Sequence, residues 1–317
     1  MAHTILITGA TGRQGGETIR ALLDLSSSRN IPITIHALVR NPSSEASKAL
    51  ASLSPSVKLF TGHFDDPASI QAAAESCTGV FVNVMPSQDP PDQELRHARN
   101  ILAASKSAGT VTRAVYSSAS IIGSERAFAE LDRYPGTAFY MRSKKAIEDE
   151  VLGGGFSGGG TVLRPAFFFT NFTPPHATFM YPALATHGEL RTALDPDLVG
   201  SFLDPADIGR FAARALVDDG DAWRGKVVPL ASAHWTIAQA AEKLTQAVGG
   251  RRQIKAAPRG EEEMAEKGLF VLFDLFQNEF KQPVDLDEVR SYGIELGSWE
   301  DFAERNRKAI ETAVGLA

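Results

Sequence analysis

Six short runs rich in β-branched residues, at 3–8, 33–39, 57–60, 80–84, 113–117 and 161–163, recur along the first half of the chain, each bounded by turn residues. Helical patterns fill the gaps, at 17–25, 44–53, 67–75, 93–107 and 142–152. Strands separated by helices imply right-handed crossovers, and a succession of these builds a mainly parallel sheet with helices on both faces. The alternation therefore restricts this half to a doubly wound α/β fold. Asp66-Pro67, with proline in the first helical turn, is one of several matching entry signals.

The 317 residues suit about two domains at roughly 150 residues each. After Arg164-Pro165 the pattern becomes aromatic and proline-broken. Short strands are expected at 202–203, 226–230 and 252–256, and helices at 207–217 and from Thr236, where Thr236 and Gln239 have capping-box spacing. This divides the chain into residues 1–165, to which a segment near 202–231 returns, and a smaller mixed α/β domain over 166–317. Glycine fills six of the eight positions from 153 to 160. That run joins a helix to the next strand and so lies at the amino edge of the sheet, whereas ligands of such sheets bind beyond the carboxyl edge. A flexible surface connection is expected there.

Composition excludes several classes. With 43% hydrophobic and 22% charged residues the chain is neither disordered nor membrane-like, and no stretch approaches the ~18–20 apolar residues of a bilayer span. A net charge of −6 without a basic stripe gives no footprint for nucleic acid. Cys77 stands alone, so no internal disulfide is expected, and with a strand expected from residue 3 no signal peptide is expected. A cytoplasmic location is the expectation. The seven histidines show no metal-ligand spacing, and no metal is expected.

The strongest motif, Gly9-Ala10-Thr11-Gly12-Arg13-Gln14-Gly15-Gly16, lies between the first strand and the first helix. Glycine serves there where the chain turns tightly, where backbone approaches a pyrophosphate, and where helix packs on strand. The N–H groups and positive end of the helix then face the phosphates. An NAD site places an acid at the end of the second strand for the ribose 2′-hydroxyl. Here that end reads Val39-Arg40-Asn41-Pro42. Arg40, with Arg13 in the loop, offers guanidinium donors for a 2′-phosphate, which favours NADP(H).

Together with these features, several downstream segments resemble the NmrA-like group of atypical short-chain dehydrogenases/reductases. They are Gly62-His63-Phe64-Asp65-Asp66, Val80–Val84 followed by Met85-Pro86, Leu163-Arg164-Pro165 with Asn171, and Phe202-Leu203-Asp204-Pro205-Ala206-Asp207. The resemblance implies a Rossmann-type fold. It also implies cofactor contacts at Gly9, Thr11, Gly12, Arg13, Gln14, Gly15 and Arg40, at His63 and Phe64 near the adenine, and at Asn83, Val84, Met85, Lys144, Pro165 and Phe167. His63 departs from the aspartate usual at its position. In active dehydrogenases of this superfamily a Tyr and a Lys lie four apart on one helix, and a Ser or Thr ends the fifth strand. Tyr140, Lys144 and Ser118 match these positions. Lysine depresses the phenol's pKa, which suits it to proton exchange with a substrate oxygen. Pro135-Gly136 leaves the helix start unfixed, so the phenol faces either the nicotinamide or the core.

A substrate pocket is expected from Phe168, Asn171, Phe172, His176 and Phe179, apolar walls with few polar groups being the usual composition of such sites. Phe270, Phe273, Phe276 and Phe280 recur at helical spacing and read as a core stripe. The family holds both reductases and cofactor-responsive regulators. Three functions therefore stand open: an NADPH-dependent reductase of a hydrophobic carbonyl or imine, an NADP(H) sensor that binds a protein partner, and a non-redox cyclase or isomerase.

Overall fold

A computed structural model describes residues 2–87, 89–266, 268–280 and 282–316. The first stretch of chain runs β1 (His3–Ile7), α1 (Arg13–Arg29), β2 (Ile33–Val39), α2 (Glu45–Ala51), β3 (Val57–Thr61), α3 (Pro67–Ala74), β4 (Gly79–Val82), α4 (Gln93–Ser107), β5 (Arg113–Ser117), α5 (Glu125–Ala129), α6 (Pro135–Leu152) and β6 (Gly159–Pro165). It continues through β7 (Phe167–Phe168), α7 (His176–Met180), α8 (Ala183–His187), β8 (Glu189–Thr192), β9 (Gly200–Leu203), α9 (Pro205–Val217), β10 (Val227–Leu230), β11 (Ala233–Trp235) and α10 (Ile237–Ala247). The last elements are β12 (Lys255–Pro258), α11 (Glu261–Glu266), α12 (Leu269–Phe280), α13 (Leu286–Ser291), α14 (Trp299–Arg305) and α15 (Arg307–Ala313).

A seven-stranded sheet has the order β10-β6-β5-β4-β1-β2-β3. Strands β1 to β6 pair in parallel, with Ile5 opposite both Ile35 on β2 and Gly79 on β4. Buried on both faces, β1, β2 and β4 are nearly continuous apolar runs. The order reverses at β1, whose neighbours are β2 and β4. A crevice opens beyond the carboxyl ends of strands at such a reversal.

Two compact units emerge. One gathers Met1–Ala119, Arg142–Arg164 and Pro205–Val228, the other Ser120–Met141, Pro165–Asp204 and Pro229–Ala317. Residues 120–141, read from sequence as part of the first domain, thus cluster with the second unit. In the first unit, helices α1 and α9 meet backbone to backbone: a Cβ on Gly209 would stand 2.4 Å from the Glu17 carbonyl oxygen. Ser44 and Asp66 cap α2 and α3 through their side chains, and Pro67 opens α3. The second unit carries a three-stranded sheet, β11-β9-β7, and the pair β12–β8. Thr236 and Gln239 complete the expected capping box of α10, while the strand expected at 252–256 lies at Lys255–Pro258.

Helix α6 begins at Pro135, seven residues before the expected start, because proline is well placed at a first helical position. In the first unit its apolar face includes Ile147 and Val151, both wholly buried. Glu148, also buried, receives both Nε (2.9 Å) and Nη2 (2.6 Å) of Arg164 on β6. The end of the glycine run after α6 is closely packed, while Gly153 and Gly155 are exposed. A Cβ at Gly160 would lie 2.1 Å from the Val151 carbonyl oxygen, and Gly159 has φ +90° against Arg224. Glycine is used there for close approach, not for mobility.

Among the described residues no helix is long and apolar enough to cross a membrane. Cys77 is buried and free, its thiol pushed up to about 12 by desolvation. Removing one partner of a buried charge pair is costly. Glu148→Ala is therefore expected to lower unfolding free energy by about 3 kcal/mol. Glu150→Ala, which breaks an exposed pair with Arg99, is expected to cost less than about 1 kcal/mol. Urea unfolding of the two variants measures the contrast.

Candidate functional site

The glycine loop connects β1 to α1 at the strand-order reversal. Gly9 has φ +61°, and a Cβ on it would come 2.9 Å from Nδ2 of Asn83, the residue after β4. Gly12 N–H donates to the Gly9 carbonyl (2.9 Å). That carbonyl is the tightest constraint, since a Cβ at position 15 would lie 2.3 Å from its oxygen. Gly16 is different, with 3.7 Å to its nearest neighbour. Gly12 caps α1 without a side-chain hydrogen bond, and no acid occupies the first turn. The positive end of the helix is thereby kept for an anion.

Polar side chains tie this loop to the carboxyl edge. Thr8 Oγ1 donates to the Phe81 carbonyl (2.8 Å) and accepts from the Asn83 N–H (2.9 Å). Gln14 Nε2 donates to Asn83 Oδ1 (3.4 Å), and Gln14 Oε1 accepts from Ser117 Oγ (2.5 Å). Gln14 is thus held between the ends of β4 and β5, and Ser117 serves the scaffold. Ser118, the residue expected to orient substrate, is buried, and its Oγ has no hydrogen-bond partner among the described residues. Its N–H is fixed by the Leu163 carbonyl (2.8 Å). Val84 is buried, whereas Met85 is 75% exposed.

At the end of β2, Asn41 is consumed by its own turn, accepting from the Ser43 N–H (2.9 Å) and from Ser47 Oγ (2.7 Å). Arg40 is exposed, and Thr11 is exposed within the loop. Arg13 is half-buried, and desolvation lowers its pKa from the ordinary value. After β3, His63 is exposed and Phe64 sets the edge of its ring against His97 (5.5 Å). Helix α4 clamps this stretch. Asn100 Nδ2 donates to the Phe64 carbonyl (2.8 Å), while Arg96 and His97 (3.1 Å) both bind Asp65. The His97 hydrogen bond, followed by Arg96, holds the Asp65 carboxyl below its usual range.

Lys144 is buried, and its ammonium meets Glu94 Oε1 of α4 at 2.7 Å and the Tyr116 ring at 5.3 Å. Ser143 Oγ donates to the other Glu94 oxygen (2.7 Å). Sequence reasoning missed Glu94 because an acid in the first turn of a helix reads as a solvated partner of its dipole. Asp65 and His97 were missed for the lack of any spacing that links them.

In the second unit Tyr140 is half-buried, edge-on to Phe273 (5.6 Å). Phe172 corrects an expectation: it is wholly buried, stacked on Tyr181 (5.8 Å) and Phe202 (6.1 Å), so it belongs to the core and walls no pocket. Aromatic density alone does not separate these roles. Pro165 is also buried. Phe167 lies edge-on to Phe202 (5.4 Å), Phe168 and Asn171 are half-buried, His176 is exposed and Phe179 is 64% exposed. Of the expected core stripe, Phe276 and Phe280 are buried, whereas Phe270 and Phe273 are only half-buried. Among the described residues no group of three or more His, Cys, Asp or Glu is placed to hold a metal ion.

These features fit a dinucleotide: backbone is stripped of side chains where a diphosphate must approach, and the helix end above it is positive. The close approach gives an expectation for stability. Gly15→Ala should destabilise by about 2 kcal/mol or more, because backbone must move. Gly16→Ala should be neutral or stabilising by up to ~1 kcal/mol. Thermal or urea unfolding distinguishes them.

Known proteins give the same picture. The chain is 45% identical over 85 residues to an NmrA-like family domain-containing oxidoreductase, hkm9, of Aspergillus hancockii, a match covering 26% of this chain and 23% of that protein. The alignment thus spans about a quarter of that relative. The crystal structure of NmrA, a negative transcriptional regulator, superposes with a TM-score of 0.75 at 20% identity, over 100% of this chain and 99% of that one. An NADPH-dependent quinone oxidoreductase of Escherichia coli, QOR2, solved with NADPH, gives 0.70 at 22% identity, over 95% and 99%. At such identities the structures attest the Rossmann-type fold. Because the NmrA-like family model matches residues 1–282, the chain belongs to the NmrA-like family.

Proposed function

We propose that the chain is an NADPH-dependent reductase of short-chain dehydrogenase type, acting in the cytoplasm on a hydrophobic small-molecule carbonyl or imine. One observation carries the reading. The glycine cradle at the strand-order reversal stands beside a β2 end that offers Arg40 and no acid, with Arg13 at the first position of α1. Gly9, Gly12 and Gly15 would hold the diphosphate, Arg13 and Arg40 the 2′-phosphate. NADPH, when bound, supplies the hydride. QOR2 and an NADP-bound form of NmrA offer precedents for the nucleotide on this fold, and NAD also occurs among such neighbours.

The chain's own residues supply the rest. Ser118 presents a buried hydroxyl with no partner among the described residues, a donor suited to a substrate oxygen. Tyr140 supplies the proton that the reduced oxygen or nitrogen takes up. Lys144 holds positive charge near the nicotinamide ribose. Phe168, Asn171, His176 and Phe179 are the residues proposed for the substrate, and Asn83, Val84 and Met85 for the cofactor.

A second reading, a catalytically silent NADP(H) sensor that binds a protein, has one observation in its favour: Lys144 is already neutralised by Glu94. Substitution separates the two. With a hydrophobic ketone or quinone and NADPH, Tyr140→Phe is expected to lower turnover by about 100-fold or more while NADPH affinity stays within about twofold. Loss of nicotinamide absorbance measures turnover, and calorimetry measures binding. A wild-type protein that binds NADPH but consumes none across such substrates assigns the chain to the sensor class.

A further inference from the structure

Helix α4 touches both the loop after β3 and Lys144 of α6. Asn100, His97 and Arg96 hold residues 64 and 65 after β3, on the expected adenosine side. One turn earlier, Glu94 reaches Lys144, on the expected nicotinamide side. Positions 94 and 97 are neighbours on the helix surface, which places both contacts on one face.

The Glu94–Lys144 pair differs from the surface pairs of this protein. The side chains are 1% and 6% exposed, and Ser143 Oγ fixes the second carboxylate oxygen at 2.7 Å. A lysine stem is flexible, and an ammonium buried without an anion gives up its charge or its place. Here the carboxylate, braced from α6 itself, and the Tyr116 ring at 5.3 Å determine where the charge sits. An exposed lysine of the same helix is served differently: Lys145 meets Asp149, four residues on, as an ordinary helical pair.

We propose that Glu94 is a positioning residue of the nucleotide site: through its buried ion pair it sets the place of the Lys144 ammonium, and through the shared helix it keeps that group in register with the adenosine-side loop. The inference rests on the NADP(H) reading above. Its consequence is divisible, because the two halves of the nucleotide meet different contacts of α4. A change at Glu94 acts on the nicotinamide half alone, whereas a change at Asp65 acts on the adenosine half and so on any ligand that contains it.

Calorimetric titration of the full chain with NADP+ and with 2′,5′-ADP, which lacks the nicotinamide half, tests this. Glu94→Gln is expected to weaken NADP+ about tenfold and to leave 2′,5′-ADP within about twofold. Asp65→Asn is expected to weaken both ligands by a similar factor. Should Glu94→Gln fail to fold, Ser143→Ala decides the matter, since it keeps both charges and removes only the brace. It is expected to weaken NADP+ a few-fold and spare 2′,5′-ADP. Equal effects on the two ligands, or unchanged NADP+ affinity in both the Glu94 and Ser143 variants, would overturn the proposal. A wild-type chain that binds neither ligand instead removes the nucleotide reading itself, a result distinct from either.

Discussion

The first unit depends on one contact between backbone atoms, that of Gly15 with the Gly9 carbonyl. There α1 starts so close to β1 that a single methyl group would stand 2.3 Å from an oxygen. The same closeness brings the positive end of the helix to the crevice where the strand order reverses. Thr8, Asn83, Gln14 and Ser117 then brace the loop with hydrogen bonds across the ends of β4 and β5. Fold and candidate site are therefore one construction: the packing that seats the first helix also keeps side chains out of the turn before it.

Charge burial gives the site its second layer. Helix α6 carries two buried ion pairs in the first unit, Glu148 with Arg164 and Lys144 with Glu94. The first joins helix to sheet with two parallel hydrogen bonds, a geometry that makes up for desolvation. The second holds a cation on Lys144, the residue proposed to stand beside the cofactor. That position explains why both a reductase and a sensor remain chemically coherent on this scaffold. What separates them is whether Tyr140 exchanges a proton.

Much of this was readable from residues alone, where short-range chemistry determines structure. The β-branched runs, the glycine loop, the Asp66-Pro67 start and the Thr236–Gln239 capping box each specify a local geometry that tertiary packing did not override. The failures share a cause in long-range packing. The glycine run at 153–160 reads as a flexible connection, but at 158–160 Thr112, Arg113, Arg224 and Val151 press against it. Phe172 looked like a pocket wall, but Tyr181, Phe202 and Trp299 surround it. Pro135-Gly136 leaves the helix start unfixed, and the helix begins at Pro135. Glu94 gave no signal, since its partner lies fifty positions along the chain and on another helix.

In the proposed site a glycine cradle and two arginines select a nicotinamide dinucleotide that carries a 2′-phosphate. Calorimetric titration of the purified chain with NADPH and, in parallel, with NADH separates this from its alternatives. Saturable binding of NADPH at least about tenfold tighter than NADH is expected. Equal affinity for the two would contradict the role given to Arg13 and Arg40, and heat from neither would contradict the site.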